Sequence, residues 1–366
     1  MDGPILVLNA GSSNLKCALF ELRGAHPARI ASTRFETAGQ GAEAGAILSW
    51  ALTQAPGGVG AIGHRVVHGG SEFHQPVRLT GAVVAALEAL SPLAPLHQPQ
   101  SLAAVRALTA LRPELPQVAC FDTAFHWTQP AEATWLGLPR ELHARGVRRY
   151  GFHGLSYDYI AGRLRTLDPQ LAAGRVVVAH LGSGASLCAM RGGVSVDTTM
   201  GFSPLDGLLM STRCGALDPG VVLFLEQHEG LSPAAVEDLL YHGSGLLGVS
   251  GISGDMRALL ASPAAAAKQA VELFVYDAAK HIAALAGALG GLSGVVFTAG
   301  IGENSPVVRA RIAERMAWLG LELDETANQR GGETCISAPQ SRVRAWVIPT
   351  DEEQVIARQV HGLLAK

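Results

Sequence analysis

Residues 5–16 read Ile-Leu-Val-Leu-Asn-Ala-Gly-Ser-Ser-Asn-Leu-Lys, and this stretch decides the fold. The apolar residues at its start predict a buried strand, the small residues after them a tight turn, and the apolar run of residues 15–22 the returning strand of a hairpin. A weaker copy, Val-Val-Val-Ala-His-Leu-Gly-Ser-Gly-Ala-Ser, occupies residues 176–186. Two such units, one near the start of each half, indicate two related domains that face a shared ligand.

Turns of this kind can bind phosphate, because successive backbone N–H groups cradle anionic oxygens and glycine allows close approach. The first turn is not a Walker P-loop, since it lacks the G-x-x-x-x-G-K-[ST] spacing and a strand follows it. Taken alone, a Gly-Ser turn between strands is more often an ordinary hairpin, so the phosphate interpretation depends on the second copy and on the segments between the two copies.

Composition bounds the function class. A chain of 366 residues is long for one core, so two domains are expected. The net charge of -3 gives no basic field for nucleic acid. Five widely spaced cysteines without a C-x-x-C pair predict reduced thiols in a cytoplasmic protein. The apolar stretch 281–302 is interrupted by glycines and predicts a helix end, a turn and a strand rather than a membrane span.

Hydrophobic periodicity predicts a mixed α/β fold with helices packed on sheets. Strands are predicted at residues 4–9, 15–22, 60–67, 117–121, 175–181, 186–190, 294–298 and 343–348. Helices are predicted at residues 80–91, 100–111, 154–166, 232–241, 265–288, 306–319 and 352–364. We place the N-terminal domain at 1–149 and a C-terminal nucleotide-binding domain at 150–351, with the last helix, 352–366, returning to the first domain.

The segment Gly63–Gly70 sets a cation beside an apolar side chain. On a strand, Arg65 and Val67 point to the same face, which suits a small carboxylate with a short alkyl group. The alternative is an edge arginine that pairs with a surface acid.

Two further residues stand where chemistry is often found. Asp122 ends an apolar strand, where open α/β sheets bind ligands; it can orient an arginine, hold magnesium through water, act as a base, or only cap a helix. His153 lies between glycines and can stabilise charge on a transferring group, or serve as a hinge without chemistry.

Other polar turns complete the pattern. Arg213 can clamp an anion together with Arg65. Glycine-rich turns at 251–257 and 298–304 follow apolar runs, and the second stands between a strand and a helix, a position suited to a nucleotide. The acids at 351–353 can bind magnesium, or only favour the start of a helix.

The ordered set of segments resembles the acetate kinase (acetokinase) family. The segments that carry the resemblance are N-A-G-S-S, G-H-R-V-V-H-G-G, F-D-T-A-F-H, R-Y-G-F-H-G, H-L-G-S-G, T-R-C-G, S-G-I-S-G-D-M-R, F-T-A-G-I-G-E-N-S and I-P-T-D-E-E, from Asn9 to Glu353. The resemblance implies a duplicated two-domain sugar kinase/Hsp70/actin-like (ribonuclease H-like) fold with ATP in an interdomain cleft. It implies reversible transfer of the γ-phosphoryl group of ATP to acetate, with Mg²⁺ or Mn²⁺, by a cytoplasmic homodimer that needs neither nucleic acid nor membrane.

The resemblance also assigns roles to residues at matching positions. Its catalytic set is Asp122, His153, Arg213 and Arg65. Its nucleotide set is Lys16, His180, Leu181, Gly182, Ser183, Gly184, Asp255, Met256, Arg257, Gly300, Ile301, Gly302, Glu303 and Asn304. Its acetate pocket is Arg65, Val67, Leu96, Phe152 and Pro204, and its metal residues are Asn9 and Glu352. Because acetate is already an anion and needs no base, we expect Asp122 to orient Arg213 or the metal shell, and the transfer to be direct and in line.

Some positions depart from the family pattern: Asn14, Leu155, Tyr157 and Ser183 replace other residues, and the chain is short between residues 23 and 60. None of these changes removes a charge from the predicted site. Two alternatives stay open, a kinase for propionate or another short-chain acid, and a nucleotide-binding sensor without carboxylate chemistry.

Overall fold

The computed structural model describes residues 3–10, 14–23, 26–36, 43–95 and 98–365. The chain forms two compact units. The first contains residues 1–127, 152–159 and 351–366, and the second contains 128–151 and 160–350. The boundary between independently folding domains that we placed at 149/150 stays a prediction.

The first unit is built on a six-stranded sheet in the order β3-β2-β1-β4-β6-β5. The strands β1, β2 and β3 form an antiparallel meander, β4 and β6 extend it in parallel with β1, and β5 pairs antiparallel with β6. The strands are β1 Ile5–Ala10, β2 Asn14–Arg23, β3 His26–Glu36, β4 Ala61–Val66, β5 Val77–Arg78 and β6 Gln117–Phe121.

Helices cover both faces of this sheet. The α-helices that lie wholly in the unit are α1 Ala44–Gln54, α2 Gly81–Glu88, α3 Gln98–Leu111 and α16 Glu352–Leu364. Alternate residues of β1 enter different cores: Leu6 packs in the cluster with α1, and Val7 in the cluster with α16. Because β1 is buried on both faces, its sequence is continuously apolar, as expected for a central strand.

The second unit repeats this design. Its sheet has the order β11-β12-β10-β7-β8-β9. The meander is β7 Arg175–Leu181, β8 Ala185–Arg191 and β9 Val194–Thr198; the added strands are β10 Gly294–Thr298, β11 Thr334–Cys335 and β12 Arg344–Val347. Its pairings match those of the first sheet strand for strand, parallel and antiparallel alike. The duplication inferred from the two hairpins is therefore confirmed.

The helices between α3 and α16 complete the chain. They are α4 Ala131–Thr134, α5 Arg140–Ala144, α6 Gly154–Leu167, α7 Pro169–Ala172, α8 Pro219–Gln227, α9 Pro233–His242, α10 Gly245–Ser250, α11 Met256–Ala261, α12 Ala265–Leu289, α13 Ala299–Asn304, α14 Pro306–Arg315 and α15 Glu325–Asn328. The helix α6 begins in the first unit and continues into the second. Within the described part of the chain, no helix is long and apolar enough to cross a bilayer.

Each predicted strand and helix has a counterpart, but two details of the prediction are wrong. The segment Gly300–Asn304, expected to be an open turn, belongs to α13. The helix predicted to run to residue 319 ends at Arg315 and is followed by a 3₁₀ turn, Ala317–Leu319. The sequence analysis also gave no prediction for β3, β5, β9, β11, α1, α4, α5, α7, α8, α10, α11 and α15.

Candidate functional site

The strand register of the first unit aligns polar residues on one face of the sheet. Asn9 of β1 lies opposite Lys16 of β2, and Lys16 lies opposite Arg34 of β3. Side chains of directly paired residues project to the same face. Continuing the register from Leu8 and His64 adds Arg65 of β4 to the same row. The cationic side chains of Lys16, Arg34 and Arg65 and the amide of Asn9 therefore form one row on the same face of the sheet.

The start of α16 brings carboxylates to this row. The buried Asn9 donates hydrogen bonds from Nδ2 to Glu352 Oε2 (2.8 Å) and to Glu353 Oε1 (2.7 Å). Asp351 caps the helix by accepting from the Gln354 N–H, and the Arg29 guanidinium contacts both Asp351 and Glu353. The acids that the sequence allowed to be mere helix-start residues thus meet the end of β1.

The donor set suits a hard cation. Carboxylate and amide oxygens are ligands that Mg²⁺ accepts, and Mg²⁺ is commonly held by one or two carboxylates together with water and substrate phosphate. The predicted metal residues Asn9 and Glu352 are in contact, so the residues present fit such an ion. The described residues contain no group of three or more His, Cys, Asp or Glu side chains that could enclose a metal by themselves.

Arg65 and Asp122 form a nearly buried ion pair. Arg65 Nε donates to both carboxylate oxygens of Asp122 at 3.1 Å, and Nη2 donates to Oδ2 at 2.5 Å. Arg65 Nη1 donates to the Ala10 carbonyl at the end of β1 (2.5 Å). The Asp122 side chain is 1% exposed and that of Arg65 is 15% exposed, so the acid is sealed while the guanidinium still reaches solvent. Burial alone would lower the pKa of Arg65, but Asp122 raises it above its ordinary value, and the guanidinium stays charged.

The contact partner of Asp122 differs from the one expected. The sequence analysis named Arg213 or the metal shell as the group that Asp122 orients, whereas the contact found is with Arg65. A guanidinium has five N–H donors in a rigid plane. Asp122 takes the Nε–Nη2 edge and the Ala10 carbonyl takes one N–H of Nη1, so each terminal nitrogen keeps a second N–H for a substrate carboxylate. The edge-arginine alternative is wrong, since the acid is buried.

The backbone joins Asp122 to the segment that carries His153. Gly154 donates its N–H to the Asp122 carbonyl (2.9 Å), and a Cβ at Gly154 would lie 2.1 Å from that oxygen. Only glycine allows this approach. His153 precedes it with φ 57°, a left-handed conformation that costs a non-glycine residue of the order of 1–3 kcal/mol. The strained His153 is therefore held next to Asp122 by the tight backbone contact.

Of the apolar residues predicted to line the acetate pocket, Val67, Phe152 and Pro204 are described by the structure and all are buried. Val67 follows β4 and is buried, and Phe152 is buried with its ring 5.7 Å from that of His68, edge to face. Pro204, which belongs to the second unit, is buried within that unit. Leu96 lies outside the described residues.

Three histidines near this site are structural. His64, His68 and His126 are buried, and burial lowers the pKa of each to about 4. His64 Nε2 shares a hydrogen bond with the Gln117 side chain (2.6 Å), and His126 Nε2 shares one with the Phe152 carbonyl (2.9 Å). All three are therefore neutral near pH 7, and none adds charge to the site.

In the second unit, the turn between β7 and β8 meets the loop between β9 and α8. His180 is buried near the end of β7, and Leu181 is its last residue; Gly182, Ser183 and Gly184 form the turn into β8. The Ser183 carbonyl accepts the Ser211 N–H (3.0 Å). This bond links two of the predicted segments, since Ser211 lies two residues before Arg213. The serine that departs from the family pattern is exposed, so its replacement leaves the core intact.

Arg213 is anchored through carbonyl and sulfur contacts. Its Nη1 lies 3.1 Å from the Pro204 carbonyl, to which it donates, and 3.6 Å from Met210 Sδ. Gly245 permits this loop to close, because a Cβ there would lie 2.3 Å from the Met210 carbonyl. The predicted residues Arg213 and Pro204 are thereby brought together.

The predicted segment 255–257 starts α11. Asp255 caps the helix by accepting the Arg257 N–H (2.8 Å), and its carboxylate pairs with the Arg257 guanidinium at 2.7 Å. That hydrogen-bonded guanidinium lowers the pKa of Asp255. The Arg257 side chain is 90% exposed, so it is open to solution. Met256 is buried and serves the core.

The segment 299–304 is a short helix that follows β10 and packs against β7. Ala299 has φ 65°, and a Cβ added at Gly182 would lie 3.5 Å from Ala299 Cβ. Glu303 Oε1 accepts from the Ala299 N–H (2.8 Å) and the Thr350 N–H (3.1 Å). The Glu303 carboxylate therefore holds backbone, a role that the sequence did not suggest. Ile301 is half-buried, Gly302 is buried, and Gly300 and Asn304 are exposed.

Known proteins resemble this chain over most of its length. The model of the acetokinase family matches residues 43–358. The chain belongs to the acetokinase family. An acetate kinase of Rhodopseudomonas palustris is 51% identical and covers 99% of each chain.

Solved structures of acetokinases have the same fold. An acetate kinase of Porphyromonas gingivalis superposes with a TM-score of 0.87 at 35% identity, covering 99% of this chain and 100% of that one. A propionate kinase of Francisella tularensis subsp. tularensis gives a TM-score of 0.88 at 35% identity, covering 98% of both chains. The predicted family, its duplicated sugar kinase/actin-like fold and its class of enzyme, a phosphotransferase acting on carboxyl groups, are confirmed.

Proposed function

We propose that this acetokinase catalyses reversible transfer of the γ-phosphoryl group of ATP to acetate, giving ADP and acetyl phosphate, by direct in-line attack. The observation that carries the proposal is the buried Asp122 carboxylate fixing a solvent-reaching Arg65 guanidinium. This pair presents a pre-oriented cation two residues before the buried Val67, and the buried Phe152 packs on the ring of the adjacent His68. An anionic head and a short apolar tail are what such a pocket binds.

The chain's own residues divide the work of the reaction. Arg65 binds the carboxylate of acetate and leaves one oxygen to attack, and Val67 and Phe152 limit the length of the acid. His153 and Arg213 stabilise charge on the transferring phosphoryl group, while Lys16 and the turns at 180–184, 255–257 and 300–304 bind the nucleotide. Phosphoryl transfer depends mainly on such positioning and charge neutralisation.

The proposed cation is Mg²⁺ or Mn²⁺, held by Asn9 and Glu352. When bound, it would neutralise phosphate charge. Asn9→Ala removes the amide that contacts both glutamates, so we expect a higher Mg²⁺ concentration for half-maximal activity and an unchanged KM for acetate. Equal Mg²⁺ dependence in Asn9→Ala and wild type would contradict this assignment.

The test of the proposed reaction is acyl phosphate formation from ATP, Mg²⁺ and acetate, trapped with hydroxylamine. Arg65→Ala should lose at least 100-fold in kcat/KM for acetate, because the buried Asp122 charge loses its partner and the acetate carboxylate loses its cation. Arg106→Ala is the matched control, since Arg106 pairs with Glu88 on the exposed surface of the same unit. Product formation by Arg65→Ala at the wild-type rate would reject the site, and a phosphorylated enzyme on the pathway would reject direct transfer.

Propionate is the second candidate substrate. The propionate kinase of Francisella tularensis is as similar to this chain as the acetate kinase of Porphyromonas gingivalis, with 35% identity in both cases. One methylene group changes discrimination in an apolar pocket by only about 1–3 kcal/mol. A higher kcat/KM for propionate than for acetate in the same assay would move the assignment. ATP binding without product from any acid would favour the sensor alternative.

We also propose a cytoplasmic homodimer. The cysteines are free thiols, and Cys17, Cys120 and Cys188 are buried, as suits a reducing compartment. The dimer is supported by an exposed apolar face on α8, formed by Val221, Leu223 and Phe224, of which Leu223 is 52% exposed.

A further inference from the structure

Arg309 is a fully buried arginine that the proposed reaction does not use. It is the fourth residue of α14 and is 1% exposed. Its Nη1 donates to the carbonyls of Gly302 (2.8 Å) and Glu303 (2.9 Å), at the end of α13. Its Nε donates to Asn328 Oδ1 (2.8 Å), and its Nη2 to the Asn328 carbonyl (2.5 Å). The whole guanidinium is thus engaged with backbone and one amide.

This buried charge has no acidic partner among the residues from 43 to 95 and 98 to 365. Burying an unpaired charge is unfavourable, and burial lowers the pKa of Arg309 to about 10. That value still leaves the group protonated at neutral pH. The compensation comes from carbonyl oxygens at the C-terminal end of α13, where a helix carries partial negative charge. Asn328 is fixed in turn, because its Nδ2 donates to the Pro306 carbonyl (3.0 Å).

The opposite end of the same segment is held as firmly. Ala299 adopts a positive φ, and the Glu303 carboxylate binds its N–H and that of Thr350. The six-residue helix α13 is too short to be stable by itself. Its strained start is therefore fixed by the side chain of its own Glu303, and its end by the side chain of Arg309 from α14.

The two sides of α13 differ in what they face. A Cβ at Gly302 would lie 3.5 Å from the Ala179 carbonyl of β7, so this side packs on the sheet. A Cβ at Gly300 would meet nothing within 4 Å. The clamped segment thus presents an unobstructed backbone on one side and is locked on the other.

We propose that Arg309 is a positioning residue for nucleotide binding, which acts by holding the segment 299–304 in its binding geometry through the carbonyls of Gly302 and Glu303. The inference rests on the proposed nucleotide role of residues 300–304. It assigns to Arg309 no contact with nucleotide or acid. Its loss therefore weakens the binding of ATP and leaves the binding of acetate in place.

The test compares Arg309→Met, which keeps length and apolar bulk, with Arg309→Lys and with wild type. We expect Arg309→Met to raise the KM for ATP at least 10-fold with less than a twofold change in the KM for acetate, and Arg309→Lys to restore part of the affinity. Amide hydrogen exchange of residues 299–305 without nucleotide should be faster in Arg309→Met. Arg344→Met is the matched control, because Arg344 pairs with Asp168 at the other end of the β10–β12 pair and should change none of these values.

The outcomes separate this inference from the proposed function. Folded Arg309→Met with an unchanged KM for ATP and unchanged exchange would overturn the positioning role while leaving the kinase intact. Equal loss for ATP and acetate would indicate a merely structural residue. If Arg309→Met does not fold, Asn328→Ala removes one acceptor from the guanidinium and should raise the KM for ATP in the same selective way. Wild-type protein that neither binds ATP nor forms an acyl phosphate would reject the proposed function and the inference together.

Discussion

At the scale of single residues, the chemistry of the candidate site depends on one buried carboxylate. The Asp122 side chain is almost completely inaccessible to solvent. Its carboxylate accepts three hydrogen bonds from the Arg65 guanidinium, two from Nε and one from Nη2. A bidentate pair of this kind fixes direction as well as charge. We therefore describe Asp122 as the residue that orients Arg65, and not as a general base.

Asp122→Asn tests that description. The amide keeps the shape of the carboxylate but supplies one acceptor oxygen and no charge, so Arg65 should lose its fixed orientation. We expect kcat/KM for acetate to fall by about 10²–10³, with little change in the KM for ATP, in steady-state assays. A pH–rate profile shared by both proteins would exclude proton transfer by Asp122; loss of the acidic limb in Asp122→Asn would restore the general-base alternative.

The buried histidines predict a pH dependence of stability. A histidine with a folded pKa of about 4, below the ordinary value of 6.5, binds fewer protons in the folded than in the unfolded state between these values. The free energy of unfolding should therefore fall as pH drops from 6.5 to 4, by up to about 1.4 kcal/mol per pH unit for each histidine. His126→Gln, which keeps a donor for the Phe152 carbonyl, should flatten this slope in chemical denaturation, and an unaltered slope would contradict it.

At the scale of secondary-structure elements, close backbone contacts decide which segments meet. The start of α6 can approach the end of β6 only because residue 154 has no side chain. Neither element alone carries a signal for this contact. The sequence singled out Gly154 as the last residue of R-Y-G-F-H-G, but it did not indicate that Gly154 packs on the Asp122 carbonyl.

Gly154→Ala should therefore separate Asp122 from His153. A Cβ placed 2.1 Å from a carbonyl oxygen forces the backbone to move, so we expect a lower melting temperature and at least a 10-fold loss of kcat. Gly45→Ala, in α1 with open space around its Cβ, should instead stabilise the protein by about 0.5–1 kcal/mol. Similar behaviour of the two variants in thermal unfolding and in the acyl phosphate assay would refute the steric argument.

Strands and helices were predicted correctly where the hydrophobic pattern is strong, and were missed where it is weak and the element depends on contacts with neighbouring segments. The apolar runs of β1, β7 and β10 are buried on both faces, and each was predicted within a residue or two of its observed ends. The strand β3 alternates polar and small residues and forms because β2 offers it an edge. The helix α13 was predicted as a turn because glycines favour turns. Hydrogen bonds from the Glu303 carboxylate to the Ala299 N–H and from Arg309 to the Gly302 carbonyl stabilise it, and glycine content does not reveal them.

At the scale of the whole molecule, the duplicated topology explains how much of the site could be read from sequence. Each hairpin leads from the first strand of a sheet to the second, and the two sheets match pairing for pairing. The segments near the hairpins were therefore found as a repeated pattern. The Arg65–Asp122 pair, the contact of Asn9 with α16 and the role of Arg309 join distant positions, and only the folded chain brings them together.

The proposed homodimer can be tested by measuring the mass of the protein in solution. Leu223 and Phe224 are each at least half exposed, and exposed apolar side chains on one helix favour association with a complementary surface. We expect Phe224→Glu to shift the mass measured by light scattering from that of two chains toward one. Trp318→Glu is the control, because Trp318 is exposed outside α8. A wild-type protein of single-chain mass would contradict the dimer.

The closing helix α16 has a consequence for the order in which the protein is made. Its apolar residues Val355, Ile356 and Val360 complete one face of the first sheet, and its first turn carries the carboxylates that meet Asn9. During translation, β1 to β6 leave the ribosome long before this helix exists, whereas residues 160–350 are complete without it. The first sheet therefore keeps one face uncovered until α16 has been made, and the glutamates that contact Asn9 are added only then.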